Sequence, residues 1–407
     1  MSNSISLYSE LPQMIQEGQL ALIENIKLLL YKNNPNIFDV IDFNNDVIYQ
    51  EPLLFAYFNQ EINDALLLDS ILFGYIDFEK RPNQIQAKSD QYGRIYLPKI
   101  GWFSTSVENQ IIDLVSDKNG HYSLKKNNKR VNFKFEPIKY IANSSIELAI
   151  YPIQILDKYY YNSNRELIKV DIESITKIQR ENLEAALLTI RNTAPHYYSI
   201  LNNIIKKIVI FKVDATLRNS FAHIGAHGTG FFNAFQDEYN EVFFIDDIAH
   251  QCGHVIFNTL IFEPNRLLKV SSETIVKTIQ LENNEVENTN IFVLFHALFT
   301  YYVTFICLDS YLSIDSINSE KRHEALGRLK FYVGKCYQDL ILIDESIESS
   351  TNAKKMFNDK GLLIFNEIKK TWKLIVNKWQ PEIKDFDMSN QPYNFSFLNL
   401  LEKNPLK

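Results

Sequence analysis

The residues whose types and spacing best suit a functional site are two histidines one helical turn apart. His250 and His254 lie in the segment Asp247-Ile-Ala-His-Gln-Cys-Gly-His254. On a helix, side chains at positions i and i+4 share one face, so both imidazoles can reach one metal ion. The spacing also occurs in ordinary pairs of core or surface histidines, so that interpretation stays open. The pair predicts a metal-binding helix.

A third histidine lies in the next strongly apolar segment. His296 is enclosed in Leu294-Phe-His-Ala-Leu-Phe299, where an imidazole is costly unless it has a polar partner. Asp246 and Asp247 precede the pair, and we expect them to cap the start of its helix. His250, His254 and His296 together predict a facial set of metal ligands with positions left open for substrate. The alternative for His296 is a satisfied core histidine.

The residue after the first histidine argues against peptide hydrolysis. In zinc proteases with an HExxH motif, the glutamate at that position is the general base that acts on metal-bound water. Gln251 stands there in this chain, and an amide cannot accept the proton. An oxidising iron centre does not need that base, so oxygen chemistry is favoured over proteolysis.

Other residues are weaker candidates. His223 and His227 also stand four apart, but the glycines around them argue against a helix. Arg328 is a candidate for binding a dicarboxylate co-substrate at an open iron site, because arginine pairs with carboxylates in a bidentate manner. Three acids in a polar, Asn-rich segment are alternative metal ligands, ranked below His296: Glu282, Glu285 and Glu287.

Composition limits the function classes. The 407 residues are 46% hydrophobic and 22% charged, which is ordinary globular composition. A net charge of −7 argues against nucleic-acid binding, and the chain has no Gly-rich phosphate loop. Three unclustered cysteines predict no disulfide framework. The N-terminal residues do not resemble a signal peptide, so we expect a cytoplasmic protein.

The elements that would position these residues form three predicted regions. Residues 1–85 are predicted to be helical, 86–160 to be a β-rich section, and 161–407 to be a mainly helical metal-binding catalytic region. The predicted fold class is therefore α+β, mainly helical, with a small β-rich section and a zincin-like metal-binding helix. Residues 291–308 approach membrane-spanning length, but no other segment does, so we expect a buried core helix and no membrane contact.

Within the last region we expect four long helices and an irregular tail after Pro381. Pro264 is expected to stop the first helix, and Gly361 is expected to break the last. The predicted spans are 246–262, 290–312, 319–345 and 352–379.

Six segments taken in order resemble a known family. They are Arg218-Asn-Ser-Phe-Ala-His-Ile-Gly, Ile248-Ala-His-Gln-Cys-Gly-His254, Phe262-Glu-Pro-Asn-Arg266, Phe295-His-Ala-Leu-Phe-Thr-Tyr-Tyr-Val303, Arg328-Leu-Lys-Phe-Tyr and Asn358-Asp-Lys-Gly-Leu-Leu-Ile-Phe. Their order and spacing resemble the α-ketoglutarate-dependent HExxH-type peptide β-hydroxylases of ribosomal peptide biosynthesis, with HQCGH in place of HExxH. The resemblance runs from about Arg218 to Trp372.

The resemblance implies a function. It implies Fe(II) and 2-oxoglutarate as cofactors, hydroxylation at a side-chain Cβ, and a precursor peptide as substrate and partner. Arg328 is then the candidate for binding the carboxylate of 2-oxoglutarate. The alternative is a zincin-like protein that binds zinc or a peptide without catalysis. A third possibility is a structural protein in which the histidines only pack.

Overall fold

The computed structural model describes residues 9–60, 65–117, 119–236, 238–280 and 286–406. About 51% of the described residues are helical and 16% are in strands, and the strands form small sheets. This confirms the predicted mixed α+β class with mainly helical content. The zincin-like nature of the metal-binding helix stays a prediction.

Helices contain most of the residues that lie in regular secondary structure. Their bounds are α1 Leu11–Asn33, α2 Asp46–Tyr49, α3 Pro52–Phe58, α4 Ala65–Leu72, α5 Glu173–Thr193, α6 Pro195–Ile204, α7 Glu241–Ile261, α8 Ile291–Leu312, α9 Ser319–Ile343, α10 Ala353–Met356, α11 Asp359–Ile383 and α12 Phe397–Lys403.

In the described residues, the strands fall into four small sheets. Their bounds are β1 Gln84–Lys88, β2 Arg94–Leu97, β3 Gly101–Ser104, β4 Ile111–Ser116, β5 Tyr122–Lys126, β6 Lys129–Val131, β7 Lys134–Pro137, β8 Glu147–Leu148, β9 Lys207–Phe211, β10 Phe221–Ala222, β11 Thr229–Asn233, β12 Ile275–Gln280 and β13 Val286–Asn290. The sheet orders are β1-β4-β5-β6, β2-β3-β7, β10-β11-β9-β8 and β12-β13.

The chain forms two compact units that are discontinuous in sequence. One unit comprises Met1–Gln19, Gln179–Asn203 and Glu238–Lys407 and is called here the histidine unit. The other comprises Leu20–Ile178 and Ile204–Asp237 and is called the sheet unit. The predicted three-region division is a different partition of the chain and stays a prediction.

The histidine unit is built on long helices whose apolar faces cover one another. α8 is apolar on nearly every side, and it is the single helix in the described residues that is long and apolar enough to cross a membrane. Of its most apolar stretch, 83% is buried inside the protein. It is a core helix, which is consistent with a soluble protein. A helix that is hydrophobic all round requires neighbours on all sides, and α7, α9 and α11 supply them.

Three expectations for this unit need correction. α7 begins at Glu241, and the Asn240 side chain caps it by accepting a hydrogen bond from the Val242 N–H. Asp246 and Asp247 therefore lie in the second turn and are not caps. Gly361 does not break a helix but lies in the first turn of α11, where its N–H bonds the Asn358 side chain. The tail also contains a helix, α12.

The sheet unit has a compact apolar core between two of its small sheets. Ile85, Ile112 and Leu124 from the first sheet meet Leu97 and Phe103 from the second in one buried cluster. The alternating pattern of β4, in which every second residue is buried, explains why this cluster forms on one face only. In the third sheet β9 lies between β8 and β11 and runs parallel to both.

Candidate metal centre

The structure brings the three predicted histidines together. The ring centroids of His250 and His254 are 5.1 Å apart, as expected for neighbours one turn apart on α7. His296 on α8 stacks beside His254, with centroids 5.7 Å apart. The Nδ1 atoms of His254 and His296 are 3.4 Å apart. These three residues are called here the histidine cluster.

A close helix crossing makes this approach possible. Gly253 lies directly before His254 on α7, and a Cβ atom added there would lie 2.8 Å from Cγ2 of Val303 on α8. A larger residue would therefore require the Val303 side chain or the helices to shift. The aromatic rings of Phe257 and Phe292 hold His296 from two sides, at centroid distances of 4.6 and 4.7 Å.

Burial keeps the cluster neutral. It lowers the pKa of His250 and of His254 to about 3, with repulsion from His250 adding to the effect on His254. Burial also lowers the pKa of His296 well below its ordinary value. Neutral imidazole is the form that binds a metal. Two buried ring nitrogens, Nδ1 of His250 and Nε2 of His296, have no hydrogen-bond partner, and such atoms are rare in native proteins.

The side chains of the histidine cluster are chemically suited to bind a transition metal. Imidazole nitrogens suit zinc, iron, copper and nickel. Two nitrogens bonded tetrahedrally to one zinc ion, at about 2.1 Å each, lie roughly 3.4 Å apart, and the two facing Nδ1 atoms have that separation. In the described residues, however, no group of three or more His, Cys, Asp or Glu side chains is arranged as it stands to hold an ion.

Behind His250 lies a buried charged cluster that the sequence did not predict. The Arg328 guanidinium donates to Asp246 Oδ2 at 2.7 Å and to Glu324 Oε1 at 2.7 and 2.9 Å. The Tyr332 hydroxyl also donates to Asp246 Oδ2, at 3.2 Å. The side chains of Asp246, Arg328 and Glu324 are only 3%, 4% and 2% exposed. Two carboxylates face one cation, so the cluster carries a formal excess of one negative charge.

This charged cluster contacts the histidines through an aromatic ring. Tyr332 stacks on His250 at 5.6 Å, and Tyr301 lies 6.1 Å from the same imidazole. Asp246 stands one turn before His250 on α7, and its Oδ1 atom is buried without a partner. Burial raises the pKa of Asp246, and the Arg328 charge opposes that shift. A carboxylate oxygen and an imidazole nitrogen, both unpaired, therefore occur one helical turn apart.

Arg328 is the residue predicted to bind 2-oxoglutarate. Three hydrogen bonds to carboxylates occupy its guanidinium, and the rings of Phe243 and Phe395 lie 5.6 and 4.7 Å away. The two adjacent carboxylates raise the pKa of Arg328, and the group stays charged. Its role in binding 2-oxoglutarate stays a prediction.

The weaker candidates lie elsewhere or outside the described residues. Glu287 is exposed on β13, whereas Glu282 and Glu285 lie outside the residues that the structure describes. His223 and His227 belong to the sheet unit and flank a short 3₁₀ turn, as their glycines predicted. Burial lowers the pKa of His227 to about 3. Gln251, at the position of the missing general base, is 8% exposed on α7.

Sequence reasoning missed the supporting residues around His250. The relevant signal was present in α9, where Glu324, Arg328 and Tyr332 stand four residues apart and therefore share one helix face. On α7, Asp246 lies four residues before His250 and therefore shares one helix face with it. The sequence did not show that these two helix faces meet.

Comparison with known proteins adds no identification. No protein-family model matches this chain, and no curated protein matches it significantly in sequence. The function must therefore be argued from the histidine cluster itself.

Proposed function

We propose that the protein is an Fe(II)- and 2-oxoglutarate-dependent oxygenase of the cytoplasm that hydroxylates side chains of a ribosomally made peptide. The observation that carries the proposal is the cluster of three neutral, buried imidazoles, two of which have ring nitrogens without a partner. The peptide substrate and the β-hydroxylation follow from the family resemblance of the segments between Arg218 and Trp372.

In this proposal the chain supplies ligands and orientation. His250, His254 and His296 would hold the metal, and their lowered pKa values keep one nitrogen of each imidazole free of a proton at neutral pH. Fe(II), when bound, supplies the site at which 2-oxoglutarate and dioxygen react. Gln251 cannot act as a base, which disfavours hydrolysis at the same metal. Three neutral ligands differ from the common set of two histidines and one carboxylate, so an acidic ligand from Glu282, Glu285 or Glu287 remains an alternative to His296.

A second function is favoured by a specific observation. The guanidinium of Arg328 is already paired with Asp246 and Glu324, and the 3.4 Å nitrogen separation suits tetrahedral zinc. Both features favour a zincin-like protein that binds zinc, or a peptide, without catalysis.

Metal analysis of anaerobically purified protein tests both proposed functions. Stoichiometric Fe(II) binding, together with succinate release from 2-oxoglutarate, supports the oxygenase. Tight zinc without oxidation supports the zinc-binding protein. If neither metal binds, or if a metal binds and His250→Ala leaves its affinity unchanged, both proposals fail. His196→Ala is the matched control, because His196 is exposed on α6.

Gln251→Glu gives a further discrimination. The substitution restores the carboxylate of a hydrolytic site, but an oxygenase does not need it. Succinate release is expected to change little. A large gain in peptide hydrolysis with zinc bound would argue for the zincin-like alternative.

A further inference from the structure

Two neighbouring cavities in the sheet unit share two of their lining residues. The first has a volume of about 360 Å³ and the second about 580 Å³, and both are lined by Arg94 and Pro152. All the described residues that line them belong to the sheet unit, and none is a histidine. We call the two cavities together the basic cleft. Their volumes lie in the range of ligand-binding pockets.

The first cavity has an apolar wall with one unused donor. Leu53, Ile71, Ile95 and Ile153 are buried side chains that line it. The Gln60 side chain also lines it, and its Nε2 atom is buried without a hydrogen-bond partner. An apolar pocket with a few convergent polar groups is typical of a binding site. This half of the cleft suits an apolar side chain next to a carbonyl oxygen.

A sheet edge borders the same cavity. β2 is the outer strand of the β2-β3-β7 sheet in the described residues. The Gly93 carbonyl accepts from Thr105 on the β3 side, whereas the Arg94 main chain bonds to Asp90 on the opposite side. Main-chain groups alternate along an antiparallel strand, so the Tyr96 N–H and C=O also point outward. An extended peptide can use such groups.

The charge of the cleft is predominantly positive. Five cations line it against three acids, and all three acids already accept hydrogen bonds. Asp90 accepts from the main-chain N–H groups of Tyr92 and Arg94. Asp171 accepts from Ser174 N–H, and Glu173 pairs with Arg94 and Lys177. The cations are Lys88, Arg94, Lys169, Lys177 and Lys212. Lys88 and Lys169 are exposed to solvent, and these observations fit a negatively charged ligand.

We propose that the basic cleft binds an extended acidic peptide segment that carries one bulky apolar side chain. The apolar side chain enters the first cavity among Leu53, Ile71 and Ile153. Acidic residues on either side face Lys88 at one end and Lys169 at the other. Because no histidine lines the cleft, this proposal does not depend on a metal.

Fluorescence anisotropy on the full chain tests the proposal. The probe is a short fluorescein-labelled peptide of Asp and Glu residues around a single Phe. The double variant Lys88→Glu and Lys169→Glu is expected to weaken its binding at least about tenfold, because two attractions become repulsions. The matched control is the double variant Lys129→Glu and Arg130→Glu, which makes the same charge change at two exposed positions on β6 outside the cleft. It is expected to leave the affinity within about twofold of the wild-type value.

Two further measurements make the test specific. Leu67 is a half-buried residue lining the first cavity, and Leu67→Ser is expected to weaken the Phe-containing peptide but not a version with Ser in place of Phe. Circular dichroism checks that each variant is folded. Equal binding of a Lys-rich peptide, unchanged affinity in the double variant, or full competition by citrate at equal concentration would each overturn the peptide proposal.

Discussion

At the scale of single residues, His250 depends on groups that are distant in sequence. Arg328 reaches Asp246 across 82 positions of the chain, and together with Tyr332 it defines the surroundings of the imidazole. The four-residue spacing of His250 and His254 was sufficient to predict that they share one helix face. The cost of an unpaired buried imidazole was sufficient to add His296 to the candidate site. The charged cluster could not be predicted, because nothing local indicates that the α9 face meets the α7 face.

The pairing of Arg328 leads to a prediction about stability. Arg328→Met leaves Asp246 and Glu324 as two buried carboxylates without a cation, and we expect a loss of about 3–5 kcal/mol in the free energy of unfolding. Arg322→Met, on the same helix, breaks a partly exposed pair with Glu382 and is expected to cost under about 1 kcal/mol. Urea unfolding measures both. Equal effects would contradict a structural role for Arg328.

The unpaired Oδ1 of Asp246 leads to a second prediction. If the metal binds His250, the other ring nitrogen needs a hydrogen-bond acceptor, and Asp246 stands one turn away. Asp246→Asn is then expected to weaken metal binding about 10- to 100-fold, as loss of such a partner does in other metal sites. Isothermal titration with Zn²⁺ measures it. Asp247→Asn is the neighbouring control, and equal loss in both variants would refute a specific role.

At the scale of elements, strong periodicity predicted the bounds of the long helices, whereas the short strands within 86–160 were predicted mainly as one β-rich section. α7, α8 and α9 were predicted to within about five residues, because each has a long apolar pattern. The strands of the sheet unit are mostly three to six residues long, too short for a period of two to define their ends. Residues 131–135 of the predicted β-rich section, for example, include the end of β6 and the start of β7. α12 was missed because it has only seven residues and follows a polar stretch.

The crossing of α7 and α8 leads to a third prediction. Gly253→Ala places a methyl group 2.8 Å from Val303 Cγ2, and overpacking of this kind costs about 1–3 kcal/mol. We expect the helices to separate to relieve this contact, which increases the distance between His254 and His296 and lowers metal affinity. Gly334→Ala on α9 is the control, because nothing lies within 4 Å of the added methyl. It is expected to stabilise the protein by up to about 1 kcal/mol.

Thermal unfolding and zinc titration of the two variants provide the comparison. A Gly253→Ala protein that keeps wild-type metal affinity while losing stability would show that the crossing does not determine the histidine spacing.

At the scale of the whole molecule, several buried neutral histidines link stability to pH. His227, His250 and His254 each have a pKa lowered by burial to about 3, whereas an unfolded histidine has a pKa of about 6.5. Below that value the unfolded chain binds protons that the folded chain does not. The contribution of these histidines to the free energy of unfolding therefore has its full value above about pH 6.5 and falls as the pH decreases toward 3.

This linkage is directly measurable. In the presence of a chelator, each of the three histidines is expected to contribute up to about 1.4 kcal/mol per pH unit to the decrease. Urea unfolding at several pH values between about 7 and 4 gives the slope. His227→Gln should reduce that slope, whereas His196→Ala, at an exposed position, should not. A slope that is the same for wild type and His227→Gln would contradict the assignment.

The interleaving of the two compact units has a consequence for biosynthesis. The histidine unit combines an N-terminal piece with the last 170 residues, and a Cβ atom on Gly18 of α1 would lie 1.7 Å from the Thr259 carbonyl oxygen of α7. A ribosome must therefore complete most of the sheet unit before α1 can meet α7. Contacts so distant in sequence form slowly, and α8 remains a bare apolar segment until α9 and α11 emerge. The nascent chain is thus expected to depend on chaperones until its last helices are made.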